Sequence, residues 1–214
     1  MKTSEATNFQ IILDSLKEFG LLLESDAKLP SISGLIAGEP VRGSWWGHAR
    51  AQQIFTVLQQ IADHKDVLIV KLVMGKVTFV HRKLWPDIVS IGQARELWQM
   101  QKLSPAVKML LDQIDEHGSL LTNALEWPSK FKSIKPGEAV RELEKRLLIH
   151  SEEFHTASGA HAKQVETWEH WTKRVGFKNK PVAIDKAKRR LEKKIELLNE
   201  LSGASAKLPW TNTR

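Results

Sequence analysis

The chain has 214 residues, 42% hydrophobic and 27% charged, proportions ordinary for a soluble globular protein. Its 32 lysines and arginines against 25 aspartates and glutamates give a net charge of +7, which favours an anionic partner, nucleic acid first and an anionic membrane surface second. There is no cysteine, which excludes disulfides, thiolate metal sites and a cysteine nucleophile. Tyrosine is also absent while tryptophan occurs eight times, so the large flat aromatic surfaces fall to Trp.

The opening "MKTSEATNFQ" lacks the apolar core of a signal peptide, and no apolar run approaches the ~20 residues of a membrane span, so a cytoplasmic protein without membrane contact is expected. Residues 8–24 place Phe9, Ile12, Leu16 and Phe19 at helical spacing, with Gly20 as a possible end. "KLPSISGLIAGE" predicts a short second helix between Pro30 and Gly38. "WGHARAQQIFTVLQQIADH" predicts a longer third, with Ile54, Val57, Leu58 and Ile61 on one face. "DVLIVKLV" and "KVTFVHRKLW" follow as two strands about Met74-Gly75. Three helices and then a hairpin is the order of a winged helix-turn-helix.

A helix from Pro86 to about Gln101 comes next, and then the order recurs. "SPAVKMLLDQIDEHG" is a helix closed at Gly118, "SLLTNALEW" a short second helix, and "KPGEAVRELEKRLL" a third. "LLIHSEEFHT" and "AHAKQVETW" flank "ASG" as a second hairpin. "LKEFG" and "DQIDEHG" both end a first helix with Glu, one residue and Gly, so the repeat is one of element order. "VAIDKAKRRLEKKIELLNELSG" is a long charged amphipathic helix with a stripe of Ile184, Ala187, Leu191, Ile195 and Leu198, and Trp210 in the tail is placed to dock. The expected fold is mainly α with β-hairpin wings (α+β): tandem winged helix-turn-helix units plus a long C-terminal helix. Its expected parts are a first unit over 1–86, a linking helix over 87–103, a second unit over 104–171, and a C-terminal helix and tail over 172–214.

The segment "VRGSWWGHARAQQIF" leads into the third helix of the first unit, the element that lies in the major groove in a helix-turn-helix. Arg42, His48 and Arg50 would face phosphates or base edges there, with Gly43 and Gly47 allowing close approach. Trp45 and Trp46 either stack on an exposed base or pack between helix and wing. Adjacent side chains point in different directions, which predicts one inward and one outward. The first wing carries Lys71, Lys76, His81, Arg82 and Lys83 at its rim, either as phosphate contacts or as a solvated edge that blocks aggregation. The second gathers His150, Glu152, Glu153, His155, Thr156 and His161 within twelve residues. Alternation puts Ser151, Glu153 and His155 on one face and His150, Glu152 and Phe154 on the other. A carboxylate beside imidazoles suits acid–base work, decorates a polar hairpin, or ligates a metal, but the spacing matches no compact metal motif and no metal site is assigned. Phosphate-binding, dinucleotide and hydrolase glycine motifs are all missing.

The run from "GSWWGHARAQQIF" through "VTFVHRKLWP" resembles a segment of the bacterial tandem winged-helix DNA glycosylases that unhook crosslinks and remove bulky alkylated bases. The resemblance covers residues 30–86 in pattern and the remainder in architecture. That family's Gln-x-Gln catalytic motif is not found in this sequence, since Gln52-Gln53 and Gln59-Gln60 lack its spacing, and no catalytic residue carries over. The resemblance implies a DNA glycosylase, metal-independent and without cofactor, that flips a modified or bulky base from double-stranded DNA and leaves an abasic site, in repair or in anti-phage defence. In that reading Glu153, or Glu152, supplies the carboxylate near the sugar, and His155 orients it or shares its proton. Trp45 or Trp46 meets the base or the gap, and Thr156 and His161 add nucleic-acid contacts. The competing expectation is a non-catalytic winged-helix regulator, with the C-terminal helix as a weak dimer contact. A metal-dependent nuclease is a third.

Overall fold

The computed structural model describes residues 2–155 and 161–212. The chain forms two compact units, Met1–Trp85 together with Lys188–Asn212, and Pro86–Ala187. Both are mixtures of helices and a small antiparallel sheet, an α+β architecture. No described helix is long and apolar enough to cross a membrane.

The first unit runs α1 (Lys2–Phe19), β1 (Leu21–Leu23), α2 (Ile32–Ala37), α3 (Ala51–Ala62), β2 (Val67–Lys71) and β3 (Val77–His81). The first helix ends at Gly20, the glycine its sequence offered as an end, whose φ of 87° only glycine adopts cheaply and whose N–H closes on the Leu16 carbonyl at 2.8 Å. The three leucines beyond it form an edge strand, with Leu21, Leu22 and Leu23 all buried and paired to Val80, Phe79 and Thr78. The sheet order is β1-β3-β2, with β3 central. Met74 and Gly75, at φ 52° and 68°, make the turn between β2 and β3. Ile12, Leu16, Ile32, Ile36, Ile54, Val57, Ile61 and Phe79 fill the core that α1, α2 and α3 share with the sheet.

The C-terminal segment completes this unit. The last part of α9 (Ile184–Ser202) leads to a tail in which Leu208 and Trp210 are buried and the Trp210 indole donates to Glu192 at 2.7 Å. Asn199 holds both backbone groups of Ala206, donating to its carbonyl at 3.0 Å and accepting its N–H at 2.8 Å, and the Lys207 carbonyl takes the Met74 N–H at 3.0 Å. The turn of the β2–β3 hairpin is thus covered by the chain's own tail. Replacing Asn199 with alanine strips two backbone groups of their partner. It is expected to cost about 2 kcal/mol in chemical denaturation, and a neutral result would mean the tail is held by its apolar residues alone.

The second unit starts within α4 (Trp85–Gln93), from Pro86 on, and continues with α5 (Leu97–Met100). A continuous helix to Gln101 was the expectation. The chain breaks instead at Arg95, in the left-handed region at φ 48°, and restarts with Glu96 and Gln99 capping one another. Then follow α6 (Pro105–His117), β4 (Ser119–Leu121), α7 (Pro136–Lys145), β5 (His150–His155), β6 (His161–Glu166) and α8 (Trp168–Arg174). The stretch expected as a short helix after Gly118 is the strand β4 and a single 3-10 turn over Thr122–Ala124. Gly118, at φ 74°, ends α6 as Gly20 ends α1. The sheet order β4-β6-β5 again places the last strand in the middle. Val107, Leu110, Ile114, Val140, Leu143 and Val165 form the core.

Gly92 in α4 packs against Trp168. A Cβ at Gly92 would stand 2.2 Å from Trp168 Nε1, which already donates to the Leu147 carbonyl at 2.7 Å. Gly92→Ala is expected to destabilise the protein by about 3 kcal/mol despite alanine's higher helix propensity; a gain in Tm would contradict this packing.

Candidate functional site

Ser44 caps a 3-10 turn over Trp45–Gly47, its hydroxyl accepting the Trp46 N–H at 3.4 Å, and α3 begins at Ala51, five residues later than the segment expected to form it. The turn buries one tryptophan and exposes the other. Trp45 is 6% exposed and joins the core, whereas Trp46 is 64% exposed. Their rings stack at 4.1 Å and 23°, and Trp46 also leans on Phe55 of α3 at 5.6 Å. The Trp45 indole N–H donates to Glu24 Oε1 at 2.8 Å. Glu24 directly follows β1. Its own N–H donates to the Val77 carbonyl and its carbonyl accepts from the Ser33 N–H, both at 3.0 Å. A rigid backbone therefore holds a carboxylate against an anchored indole, and that indole carries a second, exposed one. Glu24 was not singled out from sequence.

Most of the neighbouring cations have partners inside the first unit. Arg50 donates to the Ile36 carbonyl at 2.7 Å, tying the end of α2 to the start of α3. His48 accepts the Arg50 N–H on Nδ1 at 3.0 Å, which leaves Nε2 to donate to Glu39 at 3.2 Å. Lys76 pairs at 2.6 Å with Asp26, a buried carboxyl that also accepts the N–H groups of Lys28 and Leu29. Burial alone would raise the Asp26 pKa, but those hydrogen bonds and the Lys76 charge lower it. Lys83 donates to the Lys17 and Glu18 carbonyls at the end of α1, and burial together with Lys194 lowers its pKa. Arg82 reaches Asp66 at 3.5 Å and lies 5.2 Å over the Trp85 ring. His81 takes the Lys83 N–H on Nδ1, and burial followed by the Lys83 charge lowers its pKa. Lys71 is half-buried at the end of β2, and Arg42 is exposed, three residues before Trp45.

In the second unit, His155 and His161 pair across the β5–β6 register, while Thr156 lies outside the described residues. Glu153 is exposed and 3.4 Å from Lys163, which also binds Glu144 at 2.8 Å. Glu152 is on the other face, 2.8 Å from Arg174. The centre of this face is Glu166, 0% exposed. His150 Nδ1 meets its Oε1 at 3.1 Å, His170 Nδ1 its Oε2 at 2.7 Å, and Arg174 reaches both oxygens, closest at 2.6 Å. Burial pushes the Glu166 carboxyl up, but hydrogen bonds from His150, Arg174 and His170 outweigh it and hold its pKa at about 2. An ionised carboxylate only accepts, so both histidines present Nδ1–H to it. His150 packs at 5.9 and 5.5 Å from the Trp168 and Trp171 rings. Glu166, His170 and Arg174 were missed in the sequence, although their spacing of four and eight was visible in "ETWEHWTKR". Among the described residues no group of three or more acidic or histidine side chains is placed to hold a metal ion.

The Gln-x-Gln spacing does occur once, at Gln99-Met100-Gln101, which corrects its reading as absent. Gln99 is 0% exposed, and its amide accepts the Glu96 N–H at 2.9 Å and donates to the Arg146 carbonyl at 3.0 Å. Arg146 in turn donates to the carbonyls of Trp98, Gln99 and Gln101. Both ends of the Gln99 amide are used in holding α5, so Gln99 has a structural task.

The chain belongs to the AlkZ-related family, whose model matches residues 6–207. Membership relates it to the AlkZ-like DNA glycosylases, which is the relation that the Trp-Trp segment and its hairpin suggested. The function that follows from the family is of the DNA-repair glycosylase kind, with DNA as the partner. No curated protein and no solved structure matches the chain.

Proposed function

We propose that the protein is a DNA glycosylase that extrudes a modified or bulky base from duplex DNA and cleaves its N-glycosidic bond, leaving an abasic site. The observation that carries this reading is the Trp45–Trp46 stack with Glu24 at its foot. A base stacked on an exposed aromatic gains ~1–3 kcal/mol, and Trp46 is held in place for that by Trp45. Glu24 spends Oε1 on the Trp45 indole, and Oε2 has no partner among the described residues. That oxygen is the candidate to stabilise positive charge on the sugar or to accept a proton from the attacking water.

Two further features support DNA as the ligand. The order helix, strand, helix, helix, hairpin, with the last strand central, fits a winged helix-turn-helix in the first unit. The second unit repeats it with the middle helix reduced to 3-10 turns, which fits a tandem arrangement. The net charge of +7 suits a polyanion. The tail over the β2–β3 turn argues that Trp46 and α3, rather than the hairpin tip, meet the duplex.

The test is incubation of the full chain with duplexes carrying one bulky or alkylated base, with EDTA, followed by alkali. Strand breaks that need alkali establish excision. Tight binding without product would favour a non-catalytic DNA-binding protein instead. Glu24→Gln is expected to slow excision at least a hundredfold. If Glu153→Gln has that effect and Glu24→Gln does not, the carboxylate belongs to β5.

A further inference from the structure

The exposed face of α3 has a composition that solvation alone does not call for. From Ala51 to Ala62 the helix has no lysine, arginine, aspartate or glutamate, in a chain that is 27% charged. Its buried side is Ile54, Val57, Leu58 and Ile61, and its exposed side is Gln52, Gln53, Gln59 and Gln60, with Thr56 half-buried between them. Helical spacing puts Gln52, Thr56 and Gln59 on one line, with Phe55 along one edge and Gln53 and Gln60 along the other. The Thr56 hydroxyl is turned back onto the Gln52 carbonyl at 3.0 Å, so the outward groups are the glutamine amides. None of the four amides has a hydrogen-bond partner among the described residues. Trp46 rests on Phe55 at 5.6 Å, which makes the glutamine line continuous with the aromatic platform.

We infer that this face is a base-reading surface, in which Gln52 and Gln59 contact adenine edges in the major groove beside the extruded base. A glutamine amide donates and accepts at once and so matches adenine N6 and N7 together, a discrimination that a lysine on phosphate cannot make. Side chains without charge add little to phosphate attraction, so their contribution is to sequence preference rather than to bulk affinity. Phosphate contacts are left to cations off the helix, Arg42 among them, which is exposed four residues before Trp46. This inference rests on the reading of the first unit as DNA-binding and adds to it a preference for the sequence flanking the damaged base.

The experiment measures binding of the full chain to a panel of unmodified duplexes that differ at single A·T positions, at several salt concentrations. The wild type is expected to prefer some members by roughly tenfold. The double substitution Gln52→Ala and Gln59→Ala is expected to level the panel while leaving the weakest members and the salt slope unchanged. Alanine is the better helix former and both positions are exposed, so the variant keeps α3. Arg42→Gln is expected to do the opposite: weaken every duplex alike and reduce the slope by about one. Equal wild-type binding across the panel, or a uniform loss in the glutamine variant, would overturn the inference. Sequence preference without alkali-labile product on any modified duplex would uphold it while removing the glycosylase reading. No binding to any duplex would remove both.

Discussion

Glu166→Ala is expected to destabilise the second unit by about 3–5 kcal/mol, read as a loss in the free energy of urea unfolding. The magnitude follows from what stays behind. His150 is 5% exposed between two tryptophans, and its Nδ1–H would lose its only acceptor on that carboxylate. Arg174 would keep Glu152 alone, on a half-exposed pair that contributes little. Glu152→Gln, by the same reasoning, is expected to cost less than about 1 kcal/mol. The acid limb gives an independent measurement. The Glu166 pKa is about 2 in the folded chain against 4.5 for a free glutamate, so the folded state holds the charged form more tightly. Its contribution is complete above about pH 5 and is lost as the pH falls from there toward 2, a change of about 3 kcal/mol. Glu166→Gln keeps the shape and removes the titration, so its stability is expected to vary less than the wild type's between pH 5 and 3. Parallel pH profiles for the two proteins would refute the assignment.

The same cluster shows why some of this molecule is legible in its sequence and some is not. Helix ends are written locally. Gly20 and Gly118 take positive φ, and each closes a helix before a short strand, so the recurrence of "LKEFG" and "DQIDEHG" marked corresponding points in the two units. The strands after them were not legible, because three residues such as Leu21–Leu23 are too few to show a period, and only pairing with β3 makes them a strand. The break at Arg95 was hidden for a similar reason: it depends on a non-glycine residue held at φ 48° by the restart at Glu96. At the sites, adjacency alone divided Trp45 from Trp46. Glu24 could not be found that way. It meets an indole 21 residues away, and only because β1 is an extended strand that delivers it there. Glu166 stands thirteen residues beyond the acidic pair Glu152 and Glu153, on the other strand of the hairpin. His150 reaches it from the neighbouring strand β5, where the two are paired in register, and His170 from the start of α8, four residues on. Glu152 and Glu153 lie exposed on the edge strand β5, while His150 of the same strand and Glu166 of the central one are buried and paired.

The two tryptophans are expected to separate stability from function. Trp45→Ala removes a 6% exposed ring from the core of the first unit and leaves the Glu24 carboxylate without its indole donor, a loss of about 3–5 kcal/mol. Trp46→Ala removes a 64% exposed ring, and its effect on unfolding is expected to stay below about 1 kcal/mol, the stacking on Trp45 and Phe55 being partly replaced by water. Excision should respond in the reverse way. At saturating duplex and a temperature where both variants are folded, Trp46→Ala is expected to lower the rate on a modified base by roughly ten- to a hundredfold, the equivalent of one lost base stack. Trp46→Phe should recover part of that, because a smaller ring still offers a face. Trp45→Ala should act on excision through the position of Trp46 and Glu24, so cooling or a stabilising osmolyte that refolds it should restore the rate only in part. A Trp46→Ala protein that is as destabilised as Trp45→Ala and excises at the wild-type rate would show that the stack is core reaching the surface. The glycosylase reading would then lose its aromatic platform and have to rest on family membership alone.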